Sequence, residues 1–260
     1  MVNRPEEAAT AAHDKTAVPV RSPFTIHRSR SWAAALFVLA CVAAAPLAAG
    51  EAEWKLLHDQ AAAHLQSGNF QQAELFARAA LKEAESPPGL GHRATEQSLS
   101  TLSHALSRAG KHDEAIQFAQ RLVALRTKLY GPDDPATGLA LHNTAQFLIL
   151  QGNLASAEQA QRKALLIFEK KLGAHHINTA VALHNMGAIQ LKQEKFSEGE
   201  KYLRRALAAK EKALKPGNLS IAHTLDNLAT ALDGQGRQAE AEKYRRRADA
   251  IRGKAQSSKS

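Results

Sequence analysis

The chain has 260 residues, 44% hydrophobic and only 5% aromatic, with a formal net charge of +9 and one cysteine, Cys41. That apolar content is enough for a sizeable core built mostly from Ala and Leu, and no Val-, Ile- or Thr-rich alternating segment marks a β fold. Beyond residue 41 there is no cysteine, which excludes a disulfide framework and thiol chemistry there.

Residues 1–31 are polar, lack a hydrophobic period and read as unstructured. Arg21, Arg28 and Arg30 then precede an apolar run over 32–49, and Ala48-Ala49-Gly50 fits a small-x-small cleavage site before Glu51. A positive flank, a short apolar core and small residues after it make a secretory signal. Two other readings stay open. Val38-Leu39-Ala40-Cys41 resembles a lipobox, which makes Cys41 a candidate for lipidation. An uncleaved anchor is the third, although Pro46 and the many alanines make a poor membrane span. The polar leader is longer than usual, so a start near Val18 or Val20 is also open. In each case the basic flank stays in the cytoplasm and the rest lies outside it, which predicts an exported, periplasmic or envelope-associated protein.

From Glu51 onward the chain repeats itself. Leu57, Leu99, Leu141, Leu183 and Leu225 are 42 residues apart. So are Gly68, Gly110, Gly152, Glu194 and Gly236, one copy having lost its glycine. Small residues recur at Ala61, Ser103, Ala145, Gly187 and Ala229, and again at Ala73, Ala115, Ala157, Gly199 and Ala241. Self-similarity at such a period is the mark of a stacked array, in which each unit buries its apolar face only against its neighbours. The units are placed near 54–95, 96–137, 138–179, 180–221 and 222–253, after a leader over 1–50 and before a disordered tail over 254–260.

Each unit reads as two amphipathic helices. In the third copy helix A carries Leu141, Ala145 and Leu148, and helix B carries Ala157, Ala160, Ala164, Leu165 and Phe168 on one stripe. The turn Gln151-Gly152-Asn153 ends helix A with a residue suited to a left-handed conformation. Leu141 is expected to be buried between its own and adjacent units. The last helix B carries Arg245, Arg246 and Arg247, the polar outer face that a terminal cap needs.

These repeats resemble the tetratricopeptide repeat in its 42-residue form, as seen in kinesin light chains. The loop Leu129-Tyr-Gly-Pro-Asp-Asp-Pro-Ala-Thr137 looks like that subtype. The departures are Glu194 for Gly, Gly199 for Ala, and the loops Gly173-Ala-His-His176 and Lys215-Pro-Gly-Asn218. The resemblance implies an all-α fold, a right-handed α-solenoid of about five helix-turn-helix repeats. It also implies a protein or peptide partner held on the concave face.

Asn143, Asn185 and Asn227 stand two residues after successive repeat leucines, with His142, His184 and Asp226 one residue earlier. The resemblance places all six in the peptide-binding groove, where an amide both donates and accepts hydrogen bonds. His142 and His184 share one repeat position, but two ligands fall short of the three or four that a metal needs, so no metal and no cofactor is expected. No HExxH, no Gly-rich phosphate loop and no nucleophile elbow is present, so no catalytic role is expected. Lys and Arg cluster over 237–259. An export signal argues against a nucleic-acid partner for them, and contact with the membrane is expected only through the N-terminal segment. The competing reading is a structural envelope protein acting through this basic surface or through self-association.

Overall fold

Apolar residues at helical spacing, broken by Gly, Pro and Asn, give ten α-helices among the described residues. In this computed structural model these residues are 31–87 and 89–257 for the backbone and 49–87 and 89–255 for the side chains. The helices are α1 (Ser31–Gln66), α2 (Phe70–Glu85), α3 (His92–Arg108), α4 (His112–Tyr130) and α5 (Pro135–Gln151), followed by α6 (Leu154–Leu172), α7 (Ile177–Lys192), α8 (Phe196–Ala213), α9 (Leu219–Asp233) and α10 (Gln238–Ser257). Residues from Ala45 onward form one compact unit, which holds the C-terminal part of α1 and every helix after it. The expectations for the leader 1–30, and for the side chains of the apolar run up to residue 48 with Cys41, fall outside the described residues. Among the described residues no helix is long and apolar enough to cross a membrane.

From α2 to α10 each helix packs on the next, which makes an all-α stack of helix-turn-helix pairs. Odd-numbered helices are the A helices and even-numbered ones the B helices. The small residues of the repeat sit where the two helices of a pair cross: Ala61, Ala145, Ala229, Ala73, Ala115, Ala157 and Ala241 are all buried. The α7–α8 pair crosses more closely through Gly187 and Gly199. A Cβ on Gly187 would lie 2.6 Å from Leu203 Cγ and 3.2 Å from the Gly199 carbonyl oxygen. Such distances are below van der Waals contact, so glycine is required there.

Turns within the pairs are closed by one left-handed residue. Gly152 has φ 89°, and the Asn153 amide reaches back to the Leu148 carbonyl at 2.9 Å. Glu194 takes the same conformation at φ 59°, with the Lys195 amide on the Gln190 carbonyl at 2.9 Å. The loss of glycine therefore leaves the turn intact, although the left-handed region costs an L-residue roughly 1–2 kcal/mol. The divergent loops between pairs likewise keep their task. Asp134, His176 and Asn218, at 42-residue intervals, each accept from the backbone amide two residues on, at 2.7, 3.1 and 2.8 Å. All three cap the next A helix.

Three features differ from the sequence expectation. Leu99, Leu183 and Leu225 are buried to 2% exposure or less, but Leu141 is only half-buried, because a cleft between α4 and α6 opens onto it. The helix α10 runs through 254–257, placed in the tail by sequence, since Lys, Ala and Gln sustain a helix. The helix α3 starts at His92, four residues before the expected Glu96.

Successive B helices are also linked at one repeat position by a carboxylate and a guanidinium. Glu85 pairs with Arg121 at 2.5 Å, and Glu169 with Arg205 and Glu211 with Arg247 in the same way.

Candidate functional site

Adjacent A helices approach closely enough for side chains of neighbouring repeats to meet, as α7 does with α9. Two amides and two imidazoles meet there. Asn185 Nδ2 lies 3.5 Å from His142 Nε2, and Asn227 Nδ2 lies 3.4 Å from His184 Nε2. The asparagine of one repeat thus contacts the histidine of the repeat before it.

The surrounding bonds fix the proton on each imidazole. Gln161, fully buried, donates from Nε2 to the Ala182 carbonyl at 3.1 Å, so its Oε1 accepts from His142 Nδ1 at 3.1 Å. His142 Nε2 then carries the ring's one lone pair, which Gln146 Nε2 takes at 3.1 Å and Asn185 Nδ2 shares more weakly at 3.5 Å. Around His184, the Thr224 hydroxyl donates to the Ser220 carbonyl at 3.0 Å and accepts from Lys210 Nζ at 2.8 Å. Its remaining lone pair takes the proton on His184 Nδ1, at 3.1 Å, which leaves His184 Nε2 free to accept from Asn227. Both rings are therefore neutral.

Electrostatics agrees with that assignment. Burial holds the His142 imidazole below its ordinary value. Burial, then the charge of Lys210 and then that of His223, pushes His184 down to about 4. Lys210 is itself 2% exposed, bonded among the described residues only to the Ser220 carbonyl at 3.1 Å and to Thr224, and burial lowers its ammonium to about 8. Arg126, at the same position two repeats earlier, has Glu96 beside it at 3.0 Å. Residue 180, at the position of Glu96, is alanine, so Lys210 lacks the carboxylate that Arg126 has.

The consequence for the amides is chemical. With Nδ2 turned to a histidine, Asn185 and Asn227 keep Oδ1 free as an acceptor. Asn143 has Ser100 at the histidine position of the preceding repeat and makes no side-chain hydrogen bond among the described residues, so its amide is free of them on both sides. Asp226 departs from the set: it is ion-paired with Arg252 of α10 and takes no part in the Asn–His contacts. Sequence reasoning missed Gln146, Gln161, Thr224 and Lys210. Gln161 left a signal, a polar residue where neighbouring repeats carry Ala119 and Leu203.

The three consecutive arginines of α10 are each ion-paired within the array. Arg245 pairs with Asp233, Arg246 with Glu242 at 2.9 Å, and Arg247 with Glu211. Among the described residues no group of three or more His, Cys, Asp or Glu side chains converges on a point suited to a metal ion.

The sequence profile described as "Tetratricopeptide repeat" matches residues 94–169, 137–212 and 182–252. A search against curated proteins returns no match. Among solved structures, the chain is similar to BtubC (BKLC) from P. vanneervenii, with 19% identity over 81% of this chain and 91% of that one and a TM-score of 0.67. A putative kinesin light chain of Podosopora anserina with nearly identical TPR-like repeats gives 21% identity, 78% and 96% coverage and a TM-score of 0.66. PilF of Pseudomonas aeruginosa gives 17% identity, 78% coverage of each chain and a TM-score of 0.57. At such identities the likeness is one of fold.

Proposed function

The chain belongs to the tetratricopeptide repeat family, whose arrays are typically protein–protein interaction scaffolds, and from that premise we propose that it is a non-enzymatic adaptor that holds an extended peptide along its A helices. The observation that carries this reading is the orientation of the amides. Asn185 and Asn227 offer carbonyl oxygens held in place by His142 and His184, and Asn143 offers an unengaged amide one repeat earlier. A row of acceptors spaced by one repeat suits the backbone N–H groups of an extended chain. Asparagine costs up to about 0.7 kcal/mol relative to alanine inside a helix, so its presence in three consecutive A helices calls for a compensating role.

The test is calorimetry with a peptide ligand obtained by pull-down, comparing the parent with the triple variant Asn143→Ala, Asn185→Ala, Asn227→Ala. Affinity should fall by about 1 kcal/mol or more per residue, as for lost hydrogen bonds, while the melting temperature stays level, the gain in helix propensity offsetting the two lost contacts to His142 and His184. Equal affinity would make the asparagines a mere relic of duplication. A large drop in melting temperature would make them structural.

The adaptor is further proposed to act outside the cytoplasm, in the periplasm or attached to the envelope. Support comes from the sequence, in the Arg flank and the apolar run over 32–49. Intact mass of protein recovered from the envelope should place the mature start near Glu51 or at a lipidated Cys41. Full-length chain recovered soluble from the cytoplasm would overturn export.

A further inference from the structure

A cleft of about 510 Å³ lies between the B helices α4 and α6, with Leu141 of α5 at its floor. Two departures from the repeat converge on it. Residue 127 is Thr where three other copies place Glu85, Glu169 and Glu211, so the ladder of carboxylate–guanidinium pairs has a gap here. Residue 166 is Leu where neighbouring copies place Ala124, Ala208 and Ala250, and it is 60% exposed. The cation of the missing pair is kept. Lys163, at the position of Arg121, Arg205 and Arg247, lines the cleft, is exposed and has no acidic partner among the described residues. Val123 completes the apolar wall. An exposed leucine beside an unpartnered ammonium leaves both apolar surface and charge uncompensated, and one ligand of mixed character satisfies both.

We propose that this cleft is a second docking site, separate from the Asn–His face, for a partner peptide carrying an acidic side chain next to a large aliphatic one. The peptide carboxylate occupies the place of the glutamate missing at residue 127 and pairs with Lys163, while its aliphatic neighbour lies between Val123 and Leu166. The cleft is a half-open trough and not a closed cavity. It therefore suits side chains projecting from a chain that continues in solvent. The chain carries cations in excess, with a formal net charge of +9, so an acidic partner is also favoured at longer range.

The experiment tracks Val and Leu methyl signals of the full chain by NMR during titration with acetyl-Ala-Glu-Leu-Ala-amide. Saturable shifts at Val123 and Leu166 are expected. The Gln analogue of the peptide, and the variant Lys163→Gln, should each weaken binding by about fivefold, the upper range for an exposed charge pair. Thr127→Glu, which restores the ladder, should abolish the shifts while the melting temperature stays level or rises. No shift with the peptide, or shifts indifferent to Lys163→Gln and Thr127→Glu, would overturn the proposal. Shifts with octanoate but not with the peptide would assign the trough to a free amphiphile instead. Shifts produced by raising the protein concentration alone would assign it to a second copy. Either result would equally overturn it.

Discussion

Leu183→Ala should lower stability by about 2–5 kcal/mol, as deletion of a fully buried leucine does, whereas Leu141→Ala should cost only about 1 kcal/mol, in proportion to the smaller area it removes from water. The two residues hold the same place in adjacent repeats, so sequence alone would give them equal weight. In the structure Leu183 is 1% exposed, within a cluster formed by Ala164, Leu165, Phe168, Ala182 and Ala206. Leu141 packs only at the margin of that cluster and faces the trough between α4 and α6. Urea midpoints measured at constant m-value separate the two costs. Equal losses for both variants would show that Leu141 is enclosed in solution and that the trough is shut.

Stability should also fall as the solution is acidified from pH 6.5 to pH 5, by about 2 kcal/mol on account of His184 alone. The folded protein holds that ring at about 4, against 6.5 for an ordinary histidine. Below pH 6.5 the unfolded chain takes up a proton that the folded one refuses until about pH 4. The full contribution is therefore present above pH 6.5, and it is lost progressively on the way down to 4. His142, lowered by the same burial, adds to the loss in the same window. Glu74, Glu158 and Glu200, whose carboxyls are held below 4.5 by cations and hydrogen bonds, lose their contributions only at lower pH, so the range from 6.5 to 5 belongs to the histidines. Lys210 acts at the other end. Its folded value of about 8, against 10.5, makes stability rise between pH 8 and 10.5, as the unfolded chain keeps a proton that the folded one has shed. Denaturant titrations at pH 7 and pH 5 on the parent and on His184→Gln test this. A parent as stable at pH 5 as at pH 7 would show that the ring is protonated and its Asn227 contact is not made as described.

The stack of helices was legible in the sequence because close helix crossing tolerates only small side chains. Ala145, Ala157, Gly187 and Gly199 could not vary freely without leaving a trace every 42 residues. The caps were harder to read. Asp134, His176 and Asn218 differ chemically, yet each offers an acceptor to the same amide, and a pattern of identities overlooks a pattern of lone pairs. The site was legible by position but not by partnership. His142 and Asn185 are 43 residues apart, and their approach depends on how one A helix lies against the next. Nor does the repeat leucine reveal that Leu141 is half-open. It borders the trough that Thr127 and Leu166 line from neighbouring B helices, and these two break the pattern rather than keep it.

Lys210 carries a consequence of another kind. An amine whose proton leaves near pH 8 is, at that pH, in appreciable part an uncharged nucleophile. At 2% exposure, however, no acylating reagent reaches it while α8 and α9 are closed. Its chemistry is thus gated by motion and not by reactivity. The rate at which such a reagent marks Lys210 counts the partings of that seam, so the C-terminal end of the array carries its own clock for local breathing.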